Sequence, residues 1–229
     1  MIVYVDLEHD RLRQQPELYQ ALMARRLEQK YRFEDISGDL CLLVRYWRVN
    51  PDLLRQLGAR AVVVSGAATD FEHYNDKDLE GLRAVYQEAA WPTLGLCAGH
   101  QLMALACRAG VDAMGPLPQG ALDPFQGTTY PQGVKQERGF MPVRLVQTHP
   151  LFAGLGQEAV FYESHYWEVK SLPAGFRALA ETDLCCIQAM AHDERPLFGV
   201  QFHPEENDDA NPAGRRLLAN FFRVAGVMS

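Results

Sequence analysis

Apolar residues along this chain fall into short unbroken runs separated by longer amphipathic stretches. Ile2–Val5 reads as a first strand, Leu40–Tyr46 as a second, and the β-branched run Ala61–Val64 as a buried third, followed by Thr93–Cys97 as a fourth. Between them the pattern changes to helical. One helix is expected from Pro16, with the proline in its first turn, to about Lys30, and a short one over Pro51–Leu57 stopped by Gly58. Further helices are expected over Lys77–Ala90 and from Gln101 to a stop at Gly110. Residues 114–138 are rich in Gly, Pro and Gln and read either as a long surface loop or as irregular strands near a site. Shorter strand-like runs follow at Met141–Val146, Ala159–Tyr162, Trp167–Val169, Arg177–Ala180, Ile187–His192 and Leu197–Phe202. A last helix is expected through about Val224, with Asn211 as its cap and Pro212 at its first position.

Strands alternating with helices predict an α/β fold. Its central sheet is mostly parallel and covered by helices on both faces, with extra short strands in the C-terminal half. No repeat or linker interrupts the pattern, so residues 1–229 read as one domain. Active sites of such sheets gather at the carboxyl ends of the strands, where Gly66, Cys97 and His203 fall.

Composition narrows the picture. A chain of 229 residues, 48% hydrophobic and 22% charged, suits a soluble domain with a sizeable core. A formal net charge of −7 argues against non-specific nucleic-acid binding. The 5 cysteines, an odd number without a disulfide framework, fit a reducing cytoplasm. The start of the chain reads as a strand rather than a signal peptide, and no run approaches the roughly 20 apolar residues of a membrane span. No paired-cysteine or histidine-helix pattern points to a metal, and no cofactor is implied.

Two segments carry candidate chemistry. Gly95-Leu96-Cys97-Ala98-Gly99-His100-Gln101 sets a single cysteine between glycines where a strand turns sharply into a helix. That is the geometry of a nucleophile elbow, and the positive end of a helix dipole favours thiolate. A buried cysteine in a strand–helix connection fits this stretch equally well. Gly199-Val200-Gln201-Phe202-His203-Pro204-Glu205 ends another strand in a histidine followed two residues later by a carboxylate. A thiol nucleophile needs a base, and the base needs a group to orient it. His203 and Glu205 supply these roles, and the two motifs together point to a cysteine triad. His100 reads as a buried structural residue turned away from the thiol. Adjacent Cys185 and Cys186 read as a packed pair.

These residues resemble the signature of class I (triad-type) glutamine amidotransferase domains. Val62-Val63-Val64-Ser65-Gly66 sits where that family has a strand and its oxyanion loop, and Glu163-Ser164-His165-Tyr166-Trp167-Glu168-Val169 resembles the segment that contacts the glutamine backbone. The four pieces follow the family's order. The resemblance implies a flavodoxin-like amidotransferase fold in which Cys97 attacks the side-chain amide of glutamine, assisted by His203 and Glu205. It makes Gly66 or Ala67 and the N–H of Ala98 the oxyanion donors, and Gln101, His165, Tyr166 and Trp167 the substrate contacts. The chain departs from the family in two places. Ser65-Gly66-Ala67-Ala68 replaces a turn with two glycines and a proline, and Tyr166-Trp167 replaces smaller residues.

Three functions fit. The first is a glutaminase that passes ammonia to a separate synthetase subunit, since this sequence has no phosphate-cradling Gly-rich Lys motif. The second is a stand-alone hydrolase of γ-glutamyl amides or peptides. The third is a non-catalytic regulatory or binding protein on the same scaffold. Glutamine or another γ-glutamyl amide is the expected partner, with neither nucleic acid nor a membrane.

Overall fold

A computed structural model describes residues 1–228. The first strand, β1 (Ile2–Asp6), pairs in parallel with β2 (Cys41–Arg45) on one side and β3 (Ala61–Val64) on the other. Next to β3 lies β4 (Thr93–Leu96), also parallel. Four later strands, β5 (Val111–Ala113), β6 (Glu137–Leu145), β7 (Glu158–His165) and β8 (Trp167–Val169), lead to β9 (Phe176–Glu181), β10 (Ala189–His192) and β11 (Leu197–Val200). The main sheet has nine strands in the order β2-β1-β3-β4-β11-β10-β9-β6-β7, and β5 with β8 forms a separate two-stranded ribbon.

The sheet changes character at β11. This strand pairs in parallel with β4, which closes the parallel half, while its other neighbour β10 is antiparallel, as are all pairings beyond it. The last parallel pair therefore sets the end of β4 beside the end of β11. These are the strands that deliver Cys97 and His203.

Helices α1 (Pro16–Ser37) and α5 (Ala213–Val224) cover one face, and α2 (Pro51–Gln56), α3 (Asp76–Glu88) and α4 (Ala98–Ala106) the other. Strand side chains alternate between the two faces. Ile2, Tyr4, Ala61 and Val63 join Phe33, Phe221 and Phe222 of α1 and α5, whereas Val3, Val5, Val62 and Val64 join Leu82, Tyr86 and Leu102 on the other side. Each fully buried valine, leucine, isoleucine or phenylalanine among them contributes roughly 1.5–3 kcal/mol. Among the described residues no helix is long and apolar enough to cross a membrane.

Several boundaries differ from those expected from the sequence: α4 runs Ala98–Ala106 rather than from Gln101 to Gly110, and β6 and β7 are longer than the runs Met141–Val146 and Ala159–Tyr162. Helix α1 runs on past Lys30 to Ser37, because its stop is Gly38, held in the left-handed conformation at φ 73°, and its last turns bury Phe33 and Ile36. Asn211 does not cap α5. The cap position belongs to Pro212, and the Asn211 amide is turned back to the Asp208 carboxylate at 3.0 Å. Residues 114–136 form a loop tied to itself, with Asp123 accepting from the N–H groups of Phe125 and Gly133 and the Gln132 amide donating to the Phe125 and Tyr130 carbonyls.

Candidate active site

Cys97 stands between β4 and α4 with φ 48° and ψ −106°, a conformation that residues with a β-carbon rarely adopt. The flanking glycines explain how it is held. A β-carbon on Gly95 would come within 2.6 Å of the Gly99 carbonyl, and one on Gly99 within 2.5 Å of the Val64 carbonyl. Strand, turn and helix are packed too closely for any side chain at either position. The Cys97 N–H donates to Val200 of β11 at 2.8 Å, and the Tyr86 hydroxyl donates to the Gly99 carbonyl at 3.0 Å, fixing both sides of the turn.

His203 follows β11. Its Nδ1–H donates to Glu205 Oε1 at 2.9 Å, and its backbone N–H to the Tyr162 carbonyl of β7 at 2.8 Å. The other ring nitrogen, Nε2, is buried without a hydrogen-bond partner among the described residues. Burial alone would lower the basicity of the imidazole. The adjacent Glu205 carboxylate and the neighbouring Cys97 outweigh it and hold His203 well above its ordinary range. Glu205 is itself fully buried. Gly66 borders both partners, since a β-carbon there would meet His203 Cε1 at 2.9 Å and Cys97 Cβ at 3.4 Å. Cys97, His203, Glu205 and the Gly66 turn thus converge at the carboxyl ends of β3, β4 and β11.

The turn after β3 has two candidate donors. The N–H of Ala68 is engaged by Glu8 Oε2 at 2.7 Å, so the donors in the turn proper are those of Gly66 and Ala67. Ala98 opens α4, and N–H groups of a first helical turn have no partner within the helix.

The other anticipated residues have more varied surroundings. Gln101 is buried, and its amide donates to the Trp167 carbonyl at 2.9 Å and to Gln201 Oε1 at 3.0 Å. Gln201 in turn donates to Cys97 Sγ at 3.5 Å, a contact that the sequence reading passed over. The signal available in the sequence was proximity, because Gln201 lies two residues before His203 in the segment that follows β11. Tyr166 donates through its hydroxyl to Asp70 Oδ1 at 2.6 Å. Burial, then this bond, pushes its phenol up to about 12. The hydrogen bond joins the segment after β7 to the segment after the Gly66 turn. Trp167 meets Gln101 and His165 through its carbonyl, and its indole N–H is buried without an acceptor among the described residues.

His165 is enclosed rather than open to solvent. Its Nδ1 lies 3.0 Å from the Trp167 carbonyl, and its Nε2 lies 3.0 Å from Glu137 and 3.3 Å from Glu163. Gln188 donates to the same Glu137 carboxylate at 2.6 Å. Burial opposes charge on His165, but the hydrogen bonds to Glu137 and Glu163 dominate and raise it to about 10, while burial raises Glu163. Glu137, Glu163 and His165 are the one set of donor groups among the described residues close enough together to hold a metal ion. In the arrangement seen, the imidazole is the shared partner of both carboxylates. His100 is fully buried, with burial lowering its imidazole to about 3, and it packs against Gly199 as a neutral ring. Cys185 is buried and Cys186 exposed, on opposite sides of their segment.

The family model for class-I glutamine amidotransferases matches residues 39–225. One subunit of the glutamine-hydrolysing GMP synthase of Pyrococcus furiosus is 31% identical over 177 residues, which cover 77% of this chain and 81% of that protein. The glutamine-hydrolysing GMP synthase of Symbiobacterium thermophilum is 32% identical over 210 residues, covering 91% of this chain but 35% of the relative. Among solved structures, a candidate GMP synthase subunit from Thermoplasma acidophilum has a TM-score of 0.71 at 22% identity, covering 99% of this chain and 94% of that one. A glutamine amidotransferase from Methylobacillus flagellatus has a TM-score of 0.66 at 15% identity, covering 100% of this chain and 95% of that one. At these identities the two structures speak for the fold alone.

Proposed function

The chain belongs to the class-I glutamine amidotransferases, and from that premise we propose that it is one glutaminase domain in which Cys97, His203 and Glu205 release ammonia from glutamine for a synthetase on another chain. The observation that carries this reading is the convergence of a positive-φ cysteine with a Glu205-bound histidine whose Nε2 has no hydrogen-bond partner among the described residues.

In the first step the Cys97 thiolate attacks the side-chain amide carbon of glutamine. The carbonyl π electrons move onto oxygen, and the oxyanion forms beside the N–H groups of Ala98 and of the Gly66-Ala67 turn. His203, protonated and oriented by Glu205, gives its proton to the departing nitrogen. The C–N bond breaks, ammonia leaves and a γ-glutamyl thioester remains. Water then attacks the thioester with His203 as base, and glutamate departs with the thiolate restored. No step calls for a metal or a redox cofactor. Gln101, Tyr166, Trp167 and the segment at His165 are the proposed walls of the glutamine site.

Resemblance to the Pyrococcus protein over four-fifths of its length supports a GMP synthase type of partner, with the ammonia acceptor bound by a separate synthetase subunit. Purified protein is expected to release ammonia from glutamine weakly alone and faster with such a synthetase and its substrates, and Cys97→Ala is expected to abolish both activities. Undiminished hydrolysis by the alanine variant overturns the mechanism. A high rate without any partner on a panel of γ-glutamyl amides and peptides favours a stand-alone hydrolase. The absence of ammonia release under every condition favours a non-catalytic scaffold.

A further inference from the structure

The buried guanidinium of Arg26 connects helix α1 to the candidate oxyanion turn. Arg26 is 4% exposed. Its Nη2 donates to the Gly66 carbonyl at 2.6 Å, its Nε to Asp6 Oδ1 at 3.1 Å, and its Nη1 to Gln29 Oε1 at 3.0 Å and the Tyr4 hydroxyl at 3.2 Å. The Ser65 hydroxyl donates to the same Gly66 carbonyl at 2.7 Å, and Arg45 holds the second Asp6 oxygen at 2.8 Å. A charged group this deep needs partners on every side, and Arg26 has them.

The Gly66 carbonyl and the Ala67 N–H belong to one peptide plane. In a trans peptide they point in opposite directions. Arg26 approaches from α1, on the face of the sheet that buries Phe33 and Ile36, whereas α4, which begins at the elbow, covers the other face. With its carbonyl held toward α1, this peptide turns the Ala67 N–H toward the side of Cys97. A β-carbon on Gly66 would touch Cys97 Cβ and His203 Cε1, so this residue lies against both. A glycine at position 66 permits rotation of the plane, and the reversed plane would present a carbonyl oxygen where negative charge must develop. The Gly66 carbonyl is held in its observed orientation by two donors, the Ser65 hydroxyl and, from outside the turn, the Arg26 guanidinium.

We infer that Arg26 is a positioning residue for the proposed glutaminase reaction: by gripping the Gly66 carbonyl it fixes the Gly66–Ala67 peptide with the Ala67 N–H facing the carbon under attack. The inference rests on the reading of Cys97 as the nucleophile. It also accounts for a turn with alanine at position 67, since the orientation is set by a side chain from α1 rather than by a second glycine.

The test compares two activities of the full-length chain in wild type, Arg26→Met and Arg26→Lys. Glutamine turnover, with kcat and KM separated, needs the oxyanion donors. Alkylation of Cys97 by iodoacetamide needs the thiolate but no oxyanion site. The expected result for Arg26→Met is a kcat about 100-fold lower, with KM changed by less than about threefold and an unaltered alkylation rate. Wild-type kcat in folded Arg26→Met overturns the inference, and so does a parallel fall of kcat and alkylation, which marks a general loss of structure. Should Arg26→Met not fold, Arg26→Lys decides. Its ammonium can reach one acceptor but not bridge Asp6 and Gly66, so a reduced kcat with normal alkylation supports the inference and a wild-type kcat overturns it. If wild type itself releases no ammonia from glutamine with or without a synthetase, the functional reading falls and takes the role of Arg26 with it. An active wild type with indifferent variants removes the role of Arg26 alone.

Discussion

The charge on His203 decides what the proposed triad can do, because ammonia leaves readily only when its nitrogen is protonated. Burial disfavours that charge, and the Glu205 carboxylate 2.9 Å away does most to restore it. Replacing Glu205 by Gln keeps the size of the side chain and loses the charge. The imidazolium is then lost at lower pH than in wild type, so the alkaline limb of the kcat/KM profile is expected to move toward acid, with kcat down about 10²–10⁴-fold. A pH profile measured from 5 to 10 checks this, and an unmoved alkaline limb would show that Glu205 does not hold the charge. Tyr166 offers a separate test at the same scale. Tyr166→Phe removes only the hydroxyl that reaches Asp70. If that bond shapes the glutamine site, KM is expected to change several-fold with kcat nearly constant, whereas an unchanged KM assigns the bond to local structure alone.

The join of β4 to α4 works as one rigid element because its two glycines admit no side chain. A methyl group on Gly99 would press on the Val64 carbonyl of β3, so Gly99→Ala is expected to cost about 1–3 kcal/mol in urea unfolding, with glutamine turnover reduced as the elbow shifts. Unchanged stability would mean that the turn is looser than its packing implies. This element was legible in the sequence, since an apolar run, a cysteine between glycines and a helical stretch are all local signals. The partner strand β11 was legible for the same reason, through its histidine and carboxylate. Helix α1 was not. Arg25, Arg26, Gln29 and Arg32 look like the solvated side of a surface helix, yet Arg26 meets Asp6 and Gly66, Arg25 and Gln29 meet Glu206, and Arg32 donates to the Glu205 carbonyl. Each of those partners comes from another part of the chain, and helical periodicity carries no trace of contacts made only when the sheet is assembled. The antiparallel half of the sheet was blurred for a similar reason. Its strands interleave polar residues such as Glu137 and Glu163 that look exposed but are buried against His165.

Folding of the whole molecule takes up protons at that buried cluster, and this makes its stability depend on pH in a stated direction. His165 rises from an ordinary 6.5 to about 10 on folding, against the cost of burial, because Glu137 and Glu163 need a positive neighbour. A group whose affinity for protons is raised in the folded state stabilises it fully below the unfolded value and loses that contribution as pH climbs through the folded value. The window therefore opens near 6.5 and closes near 10. Glu163, raised by burial, and His203, raised by Glu205 and Cys97, also bind protons more tightly in the folded protein, so their contributions slope the same way, each through its own range. Each proton taken up on folding tilts stability by about 1.4 kcal/mol per pH unit. Denaturant unfolding at intervals from pH 7 to 10 is thus expected to show stability falling steadily in wild type. In His165→Gln the protein starts weaker, because two buried carboxylates lose their cation, but its decline is shallower by about one proton's worth of slope. Equal slopes in the two proteins would mean that His165 folds as a neutral ring, and the two buried carboxylates would then have to find their balancing charge elsewhere in the molecule.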